Sequence, residues 1–313
     1  MDRRSFIMST TGLLVAGGSA TAETLTSRER ALKANDVRTY LLSLGTGWVN
    51  PERTADNFLA GDPETTVSGI AVGWMPYRWA LEKALALNCN LFVSHEMVYT
   101  PAPGPSLEGS PQRQPLAVPS LDMFQHEGVR ARREFIEKSG IAILRCHDVW
   151  DRIPTVGIPD AWGAALGFSN SIHGTDGSGY YRVYDVKGRT AIDVARQVAT
   201  KVKPLGEDAV HLIGRPETPV TRVAIGCGAI SVFRRMLLEL RVDLGICTND
   251  GFTYWRDGLL ALDLGVPVIV VDHAVSEEPG MVFLAKKLKE TFPQVPVHHI
   301  PERCMFTVVS GDA

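Results

Sequence analysis

The chain has 313 residues, 45% of them hydrophobic and 21% charged, with a formal net charge of -3. That composition supplies ample apolar material for a core, and the length suits two domains or one large duplicated one. No basic cluster lies outside the N-terminus, which argues against a nucleic-acid partner. The five scattered cysteines at 89, 146, 227, 247 and 304 form no C-x-x-C pair, so they read as buried free thiols rather than a disulfide framework.

In chain order, the first segment reads as a leader. Arg3 and Arg4 precede the apolar Phe6 and Ile7, a weakly hydrophobic Gly- and Ala-rich stretch follows, and Ala20-Thr21-Ala22 ends it. This is the pattern of a twin-arginine export signal covering residues 1–22, with cleavage after Ala22. Its apolar part is far shorter than the ~20 residues a membrane-spanning helix needs. The expected mature protein is exported to the periplasm or beyond, with no membrane span once the signal is removed.

From residue 66 short apolar runs alternate with amphipathic stretches of helical length. Val67–Gly73 is predicted as a strand, Tyr77–Leu87 as a helix and Asn90–Ser94 as a strand that runs into His95-Glu96. Pro101–Pro119 is rich in Pro, Gly and Ser and reads as a loop or flap, because proline neither donates to a ladder nor continues a helix. The apolar run Ile141–Leu144 leads to His147, Asp148 and Asp151. Further strands are predicted at Arg222–Cys227, Val242–Thr248 and Val266–Asp272, with helices at Val232–Leu240, Tyr254–Leu264 and Met281–Thr291. Ser276 and Pro279 read as helix-start residues, which places His273 before the last helix and Glu277 in its first turn.

Alternating strands and helices predict an α/β fold with βαβ crossovers and largely parallel sheets. A shift of 153 residues sets Ile70–Gly73 on Val223–Gly226 and Asn90–Val93 on Asp243–Ile246, and a shift of 126 sets His147 on His273. The expectation is a duplicated chain with two similar βαβ-containing halves, 23–160 and 161–313, the first carrying the flap at 101–119.

In such sheets ligands collect at the carboxyl ends of parallel strands. Three of these ends carry metal-ligating residue types: His95-Glu96, His147 with Asp151, and His273 with Glu277. Imidazole and carboxylate together suit Zn, Fe or Mn, and there is no thiolate pattern for a closed structural site. Carboxylates can bridge two cations, and the set exceeds what one tetrahedral ion needs. The expected cofactor is therefore two divalent metal ions.

These motifs resemble the Nif-three-like family of dinuclear-metal proteins, also described as GTP cyclohydrolase I type two homologues. The likeness runs from about Val37 to Val309. It takes in Asp56-Asn57 with Gly61-Asp62-Pro63, the S-H-H-like Ser94-His95-Glu96, and the H-x-x-x-D of His147 to Asp151. The segment Arg222–Gly228 and the H-x-x-x-E of His273 to Glu277 complete it. The resemblance implies ligands at His95, Glu96, Asp151, His273 and Glu277, metals between two similar halves, and often a ring-shaped hexamer. It leaves His147 to orient Asp151 or a bound water, as the candidate catalytic residue. Glu96 stands where the family usually has histidine, which makes the site harder and more anionic. Thr248-Asn249-Asp250-Gly251-Phe252 stands where the family has T-G-E.

The functional expectation is a metal-dependent hydrolase that uses a metal-activated water on a small molecule, with His147 or Asp148 moving the proton. No G-x-x-x-x-G-K phosphate loop singles out nucleotides. The alternative is a non-catalytic metal-binding or oligomeric scaffold protein.

Overall fold

A computed structural model describes residues 31–98, 127–169, 179–228, 232–309 and 311. The segments read as a leader, 1–22, and as a flap, 101–119, lie outside the described residues. In the first half α1 (Ala34–Leu44) and β1 (Phe58–Ala60) precede β2 (Ile70–Gly73), α2 (Arg78–Ala86) and β3 (Leu91–Ser94). Then come α3 (Glu127–Ser139), β4 (Ala142–Arg145), α4 (Asp148–Arg152) and α5 (Ile158–Ala165). The second half has β5 (Tyr181–Thr190), α6 (Ala191–Val202), β6 (His211–Ile213), β7 (Pro219–Gly226) and α7 (Val232–Leu238). It continues through β8 (Leu244–Thr248), α8 (Leu259–Leu264), β9 (Val268–Val271), α9 (His273–Thr291) and β10 (Val297–His299). Among the described residues no helix is long and apolar enough to cross a membrane.

Two five-stranded sheets form, in the orders β1-β4-β3-β2-β10 and β5-β7-β8-β9-β6. Each has a parallel core of three strands, β4-β3-β2 and β7-β8-β9, flanked mostly by antiparallel strands. The core strands are apolar along their length because both faces are covered. Ile70, Val72, Leu91, Val93 and Leu144 face α1 and α9, whereas Ala71, Phe92 and Ile143 face α2 and α3. The second sheet repeats this, with Val223, Ile225, Leu244 and Ile246 toward α6 and Ala224 and Cys247 toward α7 and α8.

The duplication is visible in the pairing register. Ile70 lies opposite Leu91, and Val223 lies opposite Leu244, each pair offset from the other by the same 153 residues. The third strand departs from the expected shift of 126. Leu91 pairs with Ala142, but Gly245, not Leu244, pairs with Val268, so the structural offset from β4 to β9 is 125. Side chains on a strand alternate faces, so a one-residue slip would turn the apolar set of β9 outward from its core. The chain keeps the packing and gives up the residue-type match. His147 is therefore equivalent to Asp272, and both are helix N-caps. The two H-x-x-x-acid segments do not occupy equivalent positions.

Helix α9 ties the halves together. It leaves β9 of the second sheet but packs Met281, Leu284 and Leu288 against the first, and β10 then joins β2 in the first sheet. The helix starts earlier than expected, at His273 instead of near Ser276. Asp272 caps it by accepting from Val275 N, and Ser276 N bonds to the Asp272 carbonyl, so the first turn is already formed. Pro279 lies inside the helix, where its missing N–H leaves only one bond unmade. At the next position Gly280 lets α5 approach closely, since a Cβ there would lie 2.5 Å from Ile158 Cδ1 and 3.2 Å from its Cα. The Gly280 carbonyl accepts from Trp150 Nε1 at 2.8 Å.

Gly280→Val should cost about 2–3 kcal/mol by overpacking the α5–α9 contact, against a helix-propensity gain of only a few tenths. Thermal unfolding of the two proteins under identical conditions tests this. An unchanged melting temperature would show that the two helices are not held at this separation.

Candidate metal centre

The carboxyl ends of β3, β4 and β9 converge on one buried cluster. His95 and Glu96 follow β3, where Ser94 Oγ donates to the Glu96 carbonyl at 2.9 Å and closes a turn. The bend is fixed from β4, whose Arg145 donates through Nε to the His95 carbonyl at 2.9 Å and through Nη2 to Glu96 Oε2 at 3.0 Å. This fork lets two consecutive side chains, which a straight strand would send to opposite faces, serve one site. Asp151 sits on α4, and His273 and Glu277 sit one turn apart on α9, so helical geometry sets that second pair.

The distances bring all the sequence-predicted residues together. His95 Nε2 lies 3.3 Å from Asp151 Oδ1 and 3.4 Å from Glu277 Oε2. His273 Nε2 lies 3.1 Å from Glu277 Oε1 and 3.8 Å from Glu96 Oε1. His147 stacks on His95 with ring centroids 4.6 Å apart, and its Nδ1 lies 3.0 Å from Asp148 Oδ1 and 3.2 Å from Asp151 Oδ2. Two overlapping sets have donor atoms close enough to hold a metal ion: His95, His147 and Asp151, and His95, Glu96 and Glu277.

The residues fit a metal on a second ground. His95 Nε2 and His273 Nε2 are buried and lack a hydrogen-bond partner of good geometry. Their other ring nitrogens are engaged, His95 Nδ1 by the Cys146 carbonyl at 3.0 Å and His273 Nδ1 by Asp250 Oδ2 at 2.8 Å. An imidazole whose Nδ1–H is donated in this way presents Nε2 as a free acceptor toward a cation. Gly228, at φ +70, brings backbone against the cluster, and a Cβ there would lie 3.0 Å from Glu277 Oε1.

Several contributors carry no assigned role in the sequence reading. Trp74 Nε1 donates to Glu277 Oε2 at 2.7 Å, and its ring meets His273 edge-on at 5.1 Å. Asp56, 2% exposed, accepts from the His147 and Val149 backbone and fixes the turn into α4. Asp250, in the segment that departs from T-G-E, is the partner of His273. Trp74, Gly228 and Asp250 all follow parallel strands, so extending the strand-end rule beyond the histidine-bearing strands would have found them.

A profile of the Duf34/NIF3 (NGG1p interacting factor 3) family matches residues 119–304, more than half of the chain. The chain belongs to this family. No curated protein matches it. Its fold is that of SA1388 from Staphylococcus aureus, at 17% identity and a TM-score of 0.67, over 88% of this chain and 99% of that one. A NIF3-related protein of Bacillus cereus gives 12% and 0.68, covering 89% and 99%, and HcgD of Methanocaldococcus jannaschii gives 14% and 0.64, covering 87% and 98%. Buried His, Asp and Glu groups able to hold metal are thus set in a NIF3 fold with duplicated halves.

Without metal the cluster neutralises itself. Burial alone would lower the His95 pKa, but the carboxylates of Glu277 and Asp151 outweigh it and raise it to about 9. Burial would raise Glu277, yet His273 and His95 pull it down to about 2. A raised histidine contributes stability that is complete below its ordinary value of 6.5 and is lost as pH climbs to about 9. A depressed carboxylate contributes stability that is complete above its ordinary 4.5 and is lost as pH falls toward about 2. Metal-stripped protein should therefore be most stable between these two ordinary values and weaken through pH 9. Saturating metal should remove the alkaline loss. Melting temperature against pH, with and without metal, checks both; a flat profile for the stripped protein would show that the cluster is not ion-paired.

Proposed function

We propose that this centre holds two divalent cations and that the protein is a hydrolase acting on a small molecule. One observation carries the reading: the carboxylate of Glu277 divides its oxygens, Oε2 toward His95 and Oε1 toward His273. A carboxylate so placed is suited to bridge a pair of ions. His95 and Asp151 would complete one position, and Glu96 and His273 the other. When bound, such a pair lowers the pKa of a water molecule and polarises the group that it attacks.

The remaining residues hold and move protons around that pair. His147 Nδ1 is already committed to Asp148 and Asp151 oxygens, so it donates there and orients Asp151. Burial opposes ionisation of His147, but Asp151 outweighs it and raises the pKa, which keeps a proton available. The His147 and Asp148 side chains, 26% and 34% exposed, are more open to solvent than the ligating residues, so a substrate proton can be exchanged there. Trp74 Nε1 donates to Glu277 Oε2, the oxygen that faces His95, and fixes the carboxylate. The twin-arginine leader supports export of the folded, metal-loaded protein, and the resemblance supports a homo-oligomer.

Metal analysis and a panel of ester, phosphate and cyclic-amide substrates test this. Asp151→Ala and His273→Ala should each lose bound metal and all turnover. His147→Ala should keep its metal while kcat falls by about 10²–10⁴-fold. Firmly bound metal with no turnover on any substrate would instead favour a metal-binding or scaffold role. Loss of metal in His147→Ala would make that residue a ligand.

A further inference from the structure

The two halves of the centre differ in what stands behind their outer carboxylates. Asp151 turns Oδ1 toward His95 and Oδ2 toward the imidazole of His147. Glu96 turns Oε1 toward His273 and Oε2 toward the guanidinium of Arg145. The parallel ends at charge. An imidazole can donate a hydrogen bond while neutral, whereas a guanidinium stays charged throughout the accessible pH range. A cation on the Asp151 side therefore has an imidazole, and not a fixed charge, behind its carboxylate. A cation on the Glu96 side meets a fixed positive charge across a single carboxylate.

Solvent does little to relieve that repulsion. Arg145 and Glu96 side chains are each 13% exposed, so screening is weak. Arg145 is also held in place, since its Nε is tied to the His95 carbonyl and its backbone N donates to the Asn57 carbonyl at 2.9 Å. It cannot swing away without undoing the bend that sets His95. The Glu96–His273 distance of 3.8 Å exceeds the 3.1 Å between His273 and Glu277, consistent with a carboxylate drawn toward the guanidinium.

From this we infer that Arg145 makes the Glu96–His273 position the weak, exchangeable half of the centre, so that the two cations load in order, the Asp151 side first. The inference rests on the two-cation reading above. It assigns Arg145 as a positioning residue with two opposed effects: its fork shapes the His95-Glu96 bend, and its charge holds off the second ion. The glutamate that replaces the family's histidine then has a purpose, because only an acidic residue there can be paired with an arginine and have its affinity set by it.

The test titrates metal-stripped protein with Mn²⁺ alone and counts free ion by electron paramagnetic resonance, without recourse to activity. Wild type should show two classes of site, one ion each, with affinities about tenfold or more apart. Glu96→Gln should abolish the weak class and leave the strong one within about threefold. Arg145→Gln should tighten the weak class by about tenfold or more, whereas Arg145→Lys, which keeps the charge and loses the fork, should leave it weak. If Arg145→Gln fails to fold, the Glu96→Gln and Arg145→Lys results still decide: loss of the strong class in the first, or a tightened weak class in the second, overturns the assignment. So does a weak class that Arg145→Gln leaves unchanged or loosens. A wild-type chain that takes up no Mn²⁺ overturns the metal centre itself, and two classes that ignore Arg145 leave the centre standing without this role.

Discussion

A carboxylate buried deep between two α/β halves has to be compensated, and Glu277 is the one on which this structure depends. It is 2% exposed, on the first turns of a helix, with no water-facing edge through which its charge can be relieved. An isolated ion in that setting carries a desolvation penalty of several kcal/mol. Here the cost is offset by His95 on one oxygen, His273 on the other and the indole N–H of Trp74. Both imidazoles in turn have a defined partner on their far side, the Cys146 carbonyl for His95 and Asp250 for His273, so the cluster behaves as one electrostatic unit.

The topology follows from bringing those groups together. His95 and Trp74 come from the first sheet, Asp250 and His273 from the second, and α9 starts at the second sheet and packs on the first. Close approach of α5 and α9 at Gly280, and of the Gly228 backbone to Glu277, removes the space a side chain would need. The same contacts that build the core thus set the centre, and a change in helix packing is felt at the ligating atoms.

Much of this was legible in the sequence. Apolar runs such as Leu91–Val93 and Val268–Val271 announce parallel strands because they must be apolar on both faces, and the polar residues at their ends mark the site. Two features were misread for physical reasons. Ser276 and Pro279 resemble a helix start, but the Asp272 cap lies upstream and Pro279 is the seventh residue of the helix, past a first turn that is already closed. The match of His147 to His273 follows residue type, whereas strand pairing follows which face is buried, and that moved the offset by one residue. Arg145 had no sequence signal at all: a lone arginine at a strand end becomes meaningful only when the neighbouring strand's carbonyl and carboxylate are seen within its reach. The Duf34/NIF3 membership fits the resemblance drawn from the motifs, while the solved relatives, all below one-fifth identity, speak to the fold alone.

The central claim is that Glu277 stands between two cations. Anomalous diffraction from crystals of the metal-loaded protein tests it most directly. Two peaks about 3.5–4 Å apart are expected, one beside Glu277 Oε2 with His95 and Asp151, the other beside Oε1 with His273 and Glu96. A single peak at full occupancy under saturating metal, or peaks away from Glu277, would contradict it.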